Sequence, residues 1–246
     1  MTMTITPLRR ANHGNHFRAY GLRGVAALID PFIGVDHAWM SQPTFPPHMH
    51  AGFSAVSYVF LDSETGIRNR DSIGTRNLIQ PGGLHWTTAG RGITHEEIPD
   101  EPGKTVHSLQ IFVALPPELQ DAEPFALSLE PQDVPVVQLP GAKVRVPLGS
   151  YGNVQSPLRP PTNVDMLDIS LDDGGELMIA AGHCTFFMPI FGTVEINRER
   201  IDLEDLRAPV FRAQNGPHAI KVSAPRGPAK VMVFSGRPFH VNAMQS

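Results

Sequence analysis

The hydrophobic pattern of this chain is dominated by a period of two. Within residues 105–115, Leu109, Ile111, Val113 and Leu115 fall on one face of an extended segment, because successive side chains of a strand point to opposite sides. His107 is in phase with that row and can look into the interior. Residues 53–61, 85–89, 166–171, 177–181, 184–191, 193–197, 218–224 and 230–234 read as further strands, rich in Val, Ile, Phe and Tyr. The segment 67–71 is a polar-alternating strand. Between these runs stand turn clusters such as Asp62-Ser63-Glu64-Thr65-Gly66, Ser72-Ile73-Gly74, Pro81-Gly82-Gly83 and Asp172-Asp173-Gly174-Gly175. Short strands recurring every 8 to 12 residues or so predict an all-β sandwich or barrel.

Helical signals are few. Residues 116–120 carry prolines at the entry and an acid in the first turn, and residues 201–206 can form a turn of helix. The first 24 residues read as irregular, apart from an edge strand over 2–5, and residues 25–37 as two extended pieces broken at Pro31. The proline-rich stretch 155–162 reads as a connection between two halves with the same strand-and-turn rhythm. The predicted organisation is therefore a first domain over residues 1–150 and a second over 151–246.

Composition narrows the class. The chain has 246 residues, 41% hydrophobic and 18% charged, which suits a globular protein with a sizeable core. A net charge of −4 offers no basic excess for a nucleic-acid surface. No apolar run approaches the roughly 20 residues of a membrane helix, and residues 1–10 show no apolar signal region, so a cytoplasmic location is expected. The single cysteine, Cys184, excludes an internal disulfide framework and reads as a buried thiol on a strand.

Candidate chemistry concentrates between Phe45 and Glu97. His48 and His50 are spaced i, i+2, as are His95 and Glu97. On strands each pair shares a face, with its members about 6–7 Å apart. Two such strands brought together would collect three imidazoles and one carboxylate, a donor set for a divalent transition metal. Iron(II) suits it, as do nickel, manganese, copper and zinc. His13 and His16 lie in a polar loop and read as solvated. Asp36-His37 reads as a hydrogen-bonded pair at a turn. Arg91, between Gly90 and Gly92, either binds an anionic substrate or caps carbonyls in the turn that presents His95. Phe45, Phe53, Trp86 and Ile93 are either pocket walls or core. His183, His218 and His240 form no such pair, so no metal is expected in the second half.

Several of these segments together resemble the pirin family of the cupin superfamily. They are Asp30-Pro31-Phe32 through Asp36-His37, Phe45-Pro46-Pro47-His48-Met49-His50-Ala51-Gly52-Phe53, Arg70-Asp71-Ser72-Ile73-Gly74, and Gln80-Pro81-Gly82-Gly83. Trp86-Thr87-Thr88-Ala89-Gly90-Arg91-Gly92-Ile93-Thr94-His95-Glu96-Glu97 and His107-Ser108-Leu109-Gln110-Ile111 complete the match. The resemblance implies a bicupin, with two facing β-barrels and metal only in the first. It implies ligands at His48, His50, His95 and Glu97, with iron as the usual metal and Glu97 in a catalytic role. It further implies either flavonol (quercetin) 2,3-dioxygenase-type chemistry on a small aromatic substrate with dioxygen, or a non-catalytic metal- or redox-sensing regulator that binds a protein partner. Phe45, Phe53, Trp86, Arg91 and His107 are then the expected substrate contacts. Ala51 stands where the family commonly has Arg, and Ser54 where it commonly has Glu. The family usually continues beyond Gly236-Arg237-Pro238-Phe239 with a longer tail across the first barrel.

Overall fold

The computed structural model describes residues 2–239; His240, grouped above with His183 and His218, lies outside them. Two seven-stranded antiparallel sheets dominate. The first runs, strand by neighbouring strand, Phe125–Leu129, Leu84–Thr88, Phe53–Val59, Val106–Ala114, Phe32–Met40, Phe17–Leu22 and Arg9–His13. The second runs Met3–Pro7, Arg207–Phe211, Cys184–Phe191, Ala229–Gly236, Val164–Leu171, Ala142–Leu148 and Val136–Leu139. Each is covered by its own four-stranded sheet. Over the first lie His48–His50, Ile93–Pro99, Ile67–Asp71 and Arg76–Ile79; over the second, Gly174–Ile179, His218–Ser223, Thr193–Ile196 and Glu199–Asp202. The chain is thus nearly all β, as the strand rhythm predicts. Each half is a pair of facing sheets whose hydrogen bonds do not run round as one closed ring.

Alternation decides what each face of a large sheet meets. Val56, Tyr58, Trp86, Leu109, Ile111 and Val113 of the first sheet turn toward Met166, Phe186, Met188, Met232 and Phe234 of the second, forming one core between the halves. The opposite face of the second sheet packs Val144, Leu167, Phe187 and Val233 on Leu177, Ile179, Ile220 and Val222 of its small sheet. Burying each such side chain contributes about 1.5–3 kcal/mol. Polar ties cross the seam: the Tyr58 hydroxyl donates to Asp168 Oδ2 at 2.8 Å, and Lys230 Nζ reaches Asp168 Oδ1 at 2.7 Å.

Several expectations change. Residues 9–22 are a hairpin of two strands, not irregular chain. Arg9–His13 is exposed at every position and carries no apolar signal; its backbone ladder alone defines it. Residues 26–29 are one short α-helix where an extended piece was expected. The early edge strand exists, but Met3–Pro7 pairs with Arg207–Phe211 of the second sheet. Val136–Leu139 and Ala142–Leu148 pair in that sheet too, so the second sheet draws on chain well before residue 150. Asp36 and His37 sit in mid-strand rather than at a turn and point to opposite faces, Asp36 pairing with Arg23 and His37 with His107. The helix-like segments are single 3-10 turns, Pro117–Leu119 and Leu203–Asp205. Cys184 is buried, its thiol pushed up to about 12 by desolvation.

Candidate metal centre

The strands His48–His50 and Ile93–Pro99 run antiparallel, with His48 opposite His95 and His50 opposite Ile93. The period of two therefore puts His48, His50, His95 and Glu97 on one face, turned toward the first large sheet. Gly90, in the turn that leads into Ile93–Pro99, has φ +49° and packs so closely on residue 122 that a Cβ there would lie 2.1 Å from the Ala122 carbonyl oxygen. One potential donor atom from each of His48, His50 and His95 lies within 4.8 Å of the others. His50 Nε2 and His95 Nε2 are 3.0 Å apart. His48 Nδ1 lies 3.0 Å from the Pro46 carbonyl oxygen; with the proton on Nδ1 it donates there and leaves Nε2 bare. The cluster grades from exposed His48 to buried His95, so it sits at the open end of the half.

Its electrostatics match its geometry. Burial, reinforced by repulsion from neighbouring imidazoles, lowers both His50 and His95 to about 4. Both rings are neutral at pH 7, the protonation state in which an imidazole is a metal ligand. His95 Nδ1 is buried with no hydrogen-bond partner among the described residues. Three convergent imidazoles, with His50 and His95 held neutral, fit a divalent metal. Glu97 stands apart from the trio. Its carboxylate oxygens lie 2.8 and 2.7 Å from Ser57 Oγ, which is also 3.1 Å from Gln110 Oε1. Desolvation pushes the Glu97 carboxyl upward, against the Ser57 hydrogen bond and the attraction of His85 and His48.

Aromatic side chains flank the imidazoles. Phe53 lies 5.2 Å from His50, and Phe112 lies 5.8 Å from His50 and 5.6 Å from Phe53. Phe45 is 39% exposed and 6.5 Å from His48, edge-on to Phe17 and His13 at 5.1 and 5.2 Å. Sequence reading missed Phe17, Phe112, Ser57, Gln110 and His85, and it read His13 as a solvated loop residue, whereas His13 ends the exposed strand Arg9–His13 with its ring against Phe45. His85 is buried and hydrogen-bonds with Asn69, Asn77 and Ser128. Register is the signal that finds some of them, since Ser57 faces Gln110 and Glu97 faces Asn69 across neighbouring strands.

Three other expected contacts are not brought to the imidazoles. Trp86 pairs with Val56 and turns with it into the core between the halves, its Nε1–H donating to Thr88 Oγ1 at 3.0 Å. His107 shares the face of Leu109 and Ile111, and that row meets the second sheet rather than the barrel interior. There His107 stacks on Trp39 at 5.0 Å, with its Nε2 2.6 Å from His37 Nε2. Arg91 is exposed and pairs with Glu123 at 2.6 Å. Ile93 is buried beside His50 in the strand register.

Comparison with known proteins places the chain. The Pirin family model matches residues 17–113. A Pseudomonas aeruginosa protein named "Putative quercetin 2,3-dioxygenase" is 30% identical over 231 residues, covering 88% of this chain and 79% of the relative. The chain belongs to the pirin family. Human Pirin is 34% identical over 173 residues, 68% of this chain. The chain covers 58% of human Pirin, and 47% of the 35% identical Pirin-like protein 2 of Arabidopsis thaliana. Among solved structures, GK1651 from Geobacillus kaustophilus superposes with a TM-score of 0.85 at 26% identity, covering 96% of this pirin and 95% of that chain. The nickel complex of bacterial pirin YhhW from Escherichia coli shares the fold, with a TM-score of 0.73 at 18% identity over 96% of this chain and all of its own.

Proposed function

We propose that this pirin is a metal-dependent dioxygenase acting on a small planar enediol or flavonol. The observation that carries the reading is the convergence of three imidazoles at an aromatic-rimmed opening. His48, His50, His95 and Glu97 are the proposed ligands and iron(II) the proposed metal. Such an ion, bound there, supplies the activation of dioxygen and of an oxygen-bearing substrate. The chain's own residues do the rest. Phe53, Phe112 and Phe45 offer ring faces and edges to a planar molecule. Glu97 takes up the proton of a substrate hydroxyl, and the Ser57 hydroxyl holds the carboxylate in place. The name of the 30% identical Pseudomonas relative supports the reaction class.

The test is anaerobic iron loading, addition of quercetin, then admission of oxygen. Loss of the flavonol absorbance in wild type, and not in Glu97→Ala, is expected. If iron-loaded wild type consumes no oxygen with any flavonol or catechol, the dioxygenase reading fails and a metal- or redox-sensing regulator with a protein partner takes its place.

A further inference from the structure

The second half has a chamber of its own, about 320 Å³ in volume, bounded by Leu167, Ile179 and Val233 on its apolar side and by Tyr151, Asp165 and Ser235 on its polar side. Its polar side is built by register. Thr185 faces Ser235, and Ser235 faces Asp165, across three neighbouring strands. Two positions further in, the same strands place Phe187, Val233 and Leu167 in one row. A single polar row therefore borders an apolar interior.

That row is tied together. Thr185 Oγ1 donates to Ser235 Oγ at 3.1 Å, and Ser235 Oγ lies 3.3 Å from His183 Nδ1. Thr185 and Ser235 are both buried. The Ser150 N–H donates to Asp165 Oδ1 at 2.9 Å. Gly149, at φ +72°, lets its turn close on that carboxylate, since a Cβ there would lie 2.0 Å from Asp165 Oδ1. The turn thus fixes the carboxylate while engaging one oxygen. The other, Oδ2, has His183 Nδ1 at 3.8 Å, too far for a hydrogen bond. Burial lowers His183, and although the Asp165 carboxylate pulls it upward, Arg237 opposes its protonation and the net direction is down, so at pH 7 the ring is neutral. Glu176 adds a second carboxylate to the lining and is engaged outside by Lys221 at 3.9 Å. The hydroxyls of the row satisfy one another and His183, so the acceptor left with capacity toward the chamber is Asp165 Oδ2, on a side chain that is 27% exposed.

We infer that the second half binds a small organic ammonium compound, its apolar body in the chamber and its N–H donated to Asp165 Oδ2. This site is separate from the imidazole trio and stands whether or not the dioxygenase reading holds. The probe is benzylamine, with benzyl alcohol and benzoate as controls, titrated into the full metal-loaded chain by amide NMR. Benzylamine should shift the amides of Gly149, Ser150 and Ser235 saturably and leave those of His48–His50 unmoved. Benzyl alcohol should bind several-fold more weakly and benzoate not at all. Asp165→Asn should weaken benzylamine at least about tenfold, the range of a charge-assisted hydrogen bond. If that variant does not fold, Ile179→Phe, which narrows the chamber and keeps Asp165, should abolish the shifts. Equal binding of benzoate and benzylamine, shifts confined to other residues, or wild-type affinity in a folded variant would overturn the site.

Discussion

The two halves share one strand order and opposite interiors. In the first large sheet, the third, fourth and fifth strands carry Ala55, Phe112 and Gly34 in one inward row and Ser57, Gln110 and Asp36 in the next. In the second, the same three places carry Thr185, Ser235 and Asp165, then Phe187, Val233 and Leu167. The small sheets differ in the same sense. His48, His50, His95 and Glu97 line one, whereas Leu177, Ile179, Ile220 and Val222 of the other belong to its core. A frame of antiparallel strands fixes which positions look inward, and the alternating residues alone decide what chemistry that interior can hold.

The sharpest way to break the comparison is to remove imidazoles from each half. His50→Ala with His95→Ala should take bound metal from about one ion per chain to near zero, read by elemental analysis of reconstituted protein. His183→Ala with His218→Ala should leave the content unchanged. Retention of metal in the first double variant would place the ion elsewhere.

Next in size is the seam itself. Asp168 has no exposed side-chain surface and holds both Lys230 and the Tyr58 hydroxyl. Asp168→Ala strands a partly buried ammonium and should cost about 3–5 kcal/mol. Asp36→Ala breaks a pair with Arg23 whose members are 23% and 37% exposed, and should cost about 1 kcal/mol or less. Urea midpoints at constant slope measure both; equal losses would deny the seam its special standing.

A third effect separates the seam from the solvent. Burial, followed by the nearby charge of His107 and then of Arg18, keeps His37 neutral well below the usual imidazole range. The unfolded chain takes up a proton on that ring near pH 6.5 and the folded chain does not, so stability is full above that value and falls as pH drops below it. The slope should reach at most about 1.4 kcal/mol per pH unit for one group. His37→Gln should flatten it, as measured by denaturant titrations between pH 5 and 7.5; an unchanged slope would mean other groups carry the dependence.

These contrasts show how far the sequence could be read. The HxH and HxE pairs were legible because a spacing of two becomes a shared face on any strand. The period does not say what that face meets. His107 is in phase with Leu109 and Ile111, and the row turned out to face the second sheet. Ser57 and Gln110 were invisible as single polar residues on apolar strands, since each gains meaning only from a partner 40 to 53 positions away. Arg9–His13, wholly exposed, offered no periodicity to read.

The smallest predicted effect concerns Arg91, which sequence spacing placed beside the site. Its guanidinium is 61% exposed and its partner Glu123 is 73% exposed. An ion pair in that setting gains little Coulomb energy in high dielectric and gives up side-chain entropy to hold its geometry. Arg91→Ala should therefore change stability by under about 0.5 kcal/mol. Gly90 and Gly92, whose backbones make the turn, are untouched by the change, so His95 should keep its place and metal content should stay at the wild-type level. The same variant separates two roles for the arginine. If it only fastens the turn to Glu123, flavonol KM stays within about twofold of wild type, well under the tenfold that 1.4 kcal/mol of binding would give. A larger rise in KM for anionic substrates, with neutral ones unaffected, would show that the guanidinium leaves Glu123 to meet substrate, and would extend the binding surface from the aromatic rim to this turn.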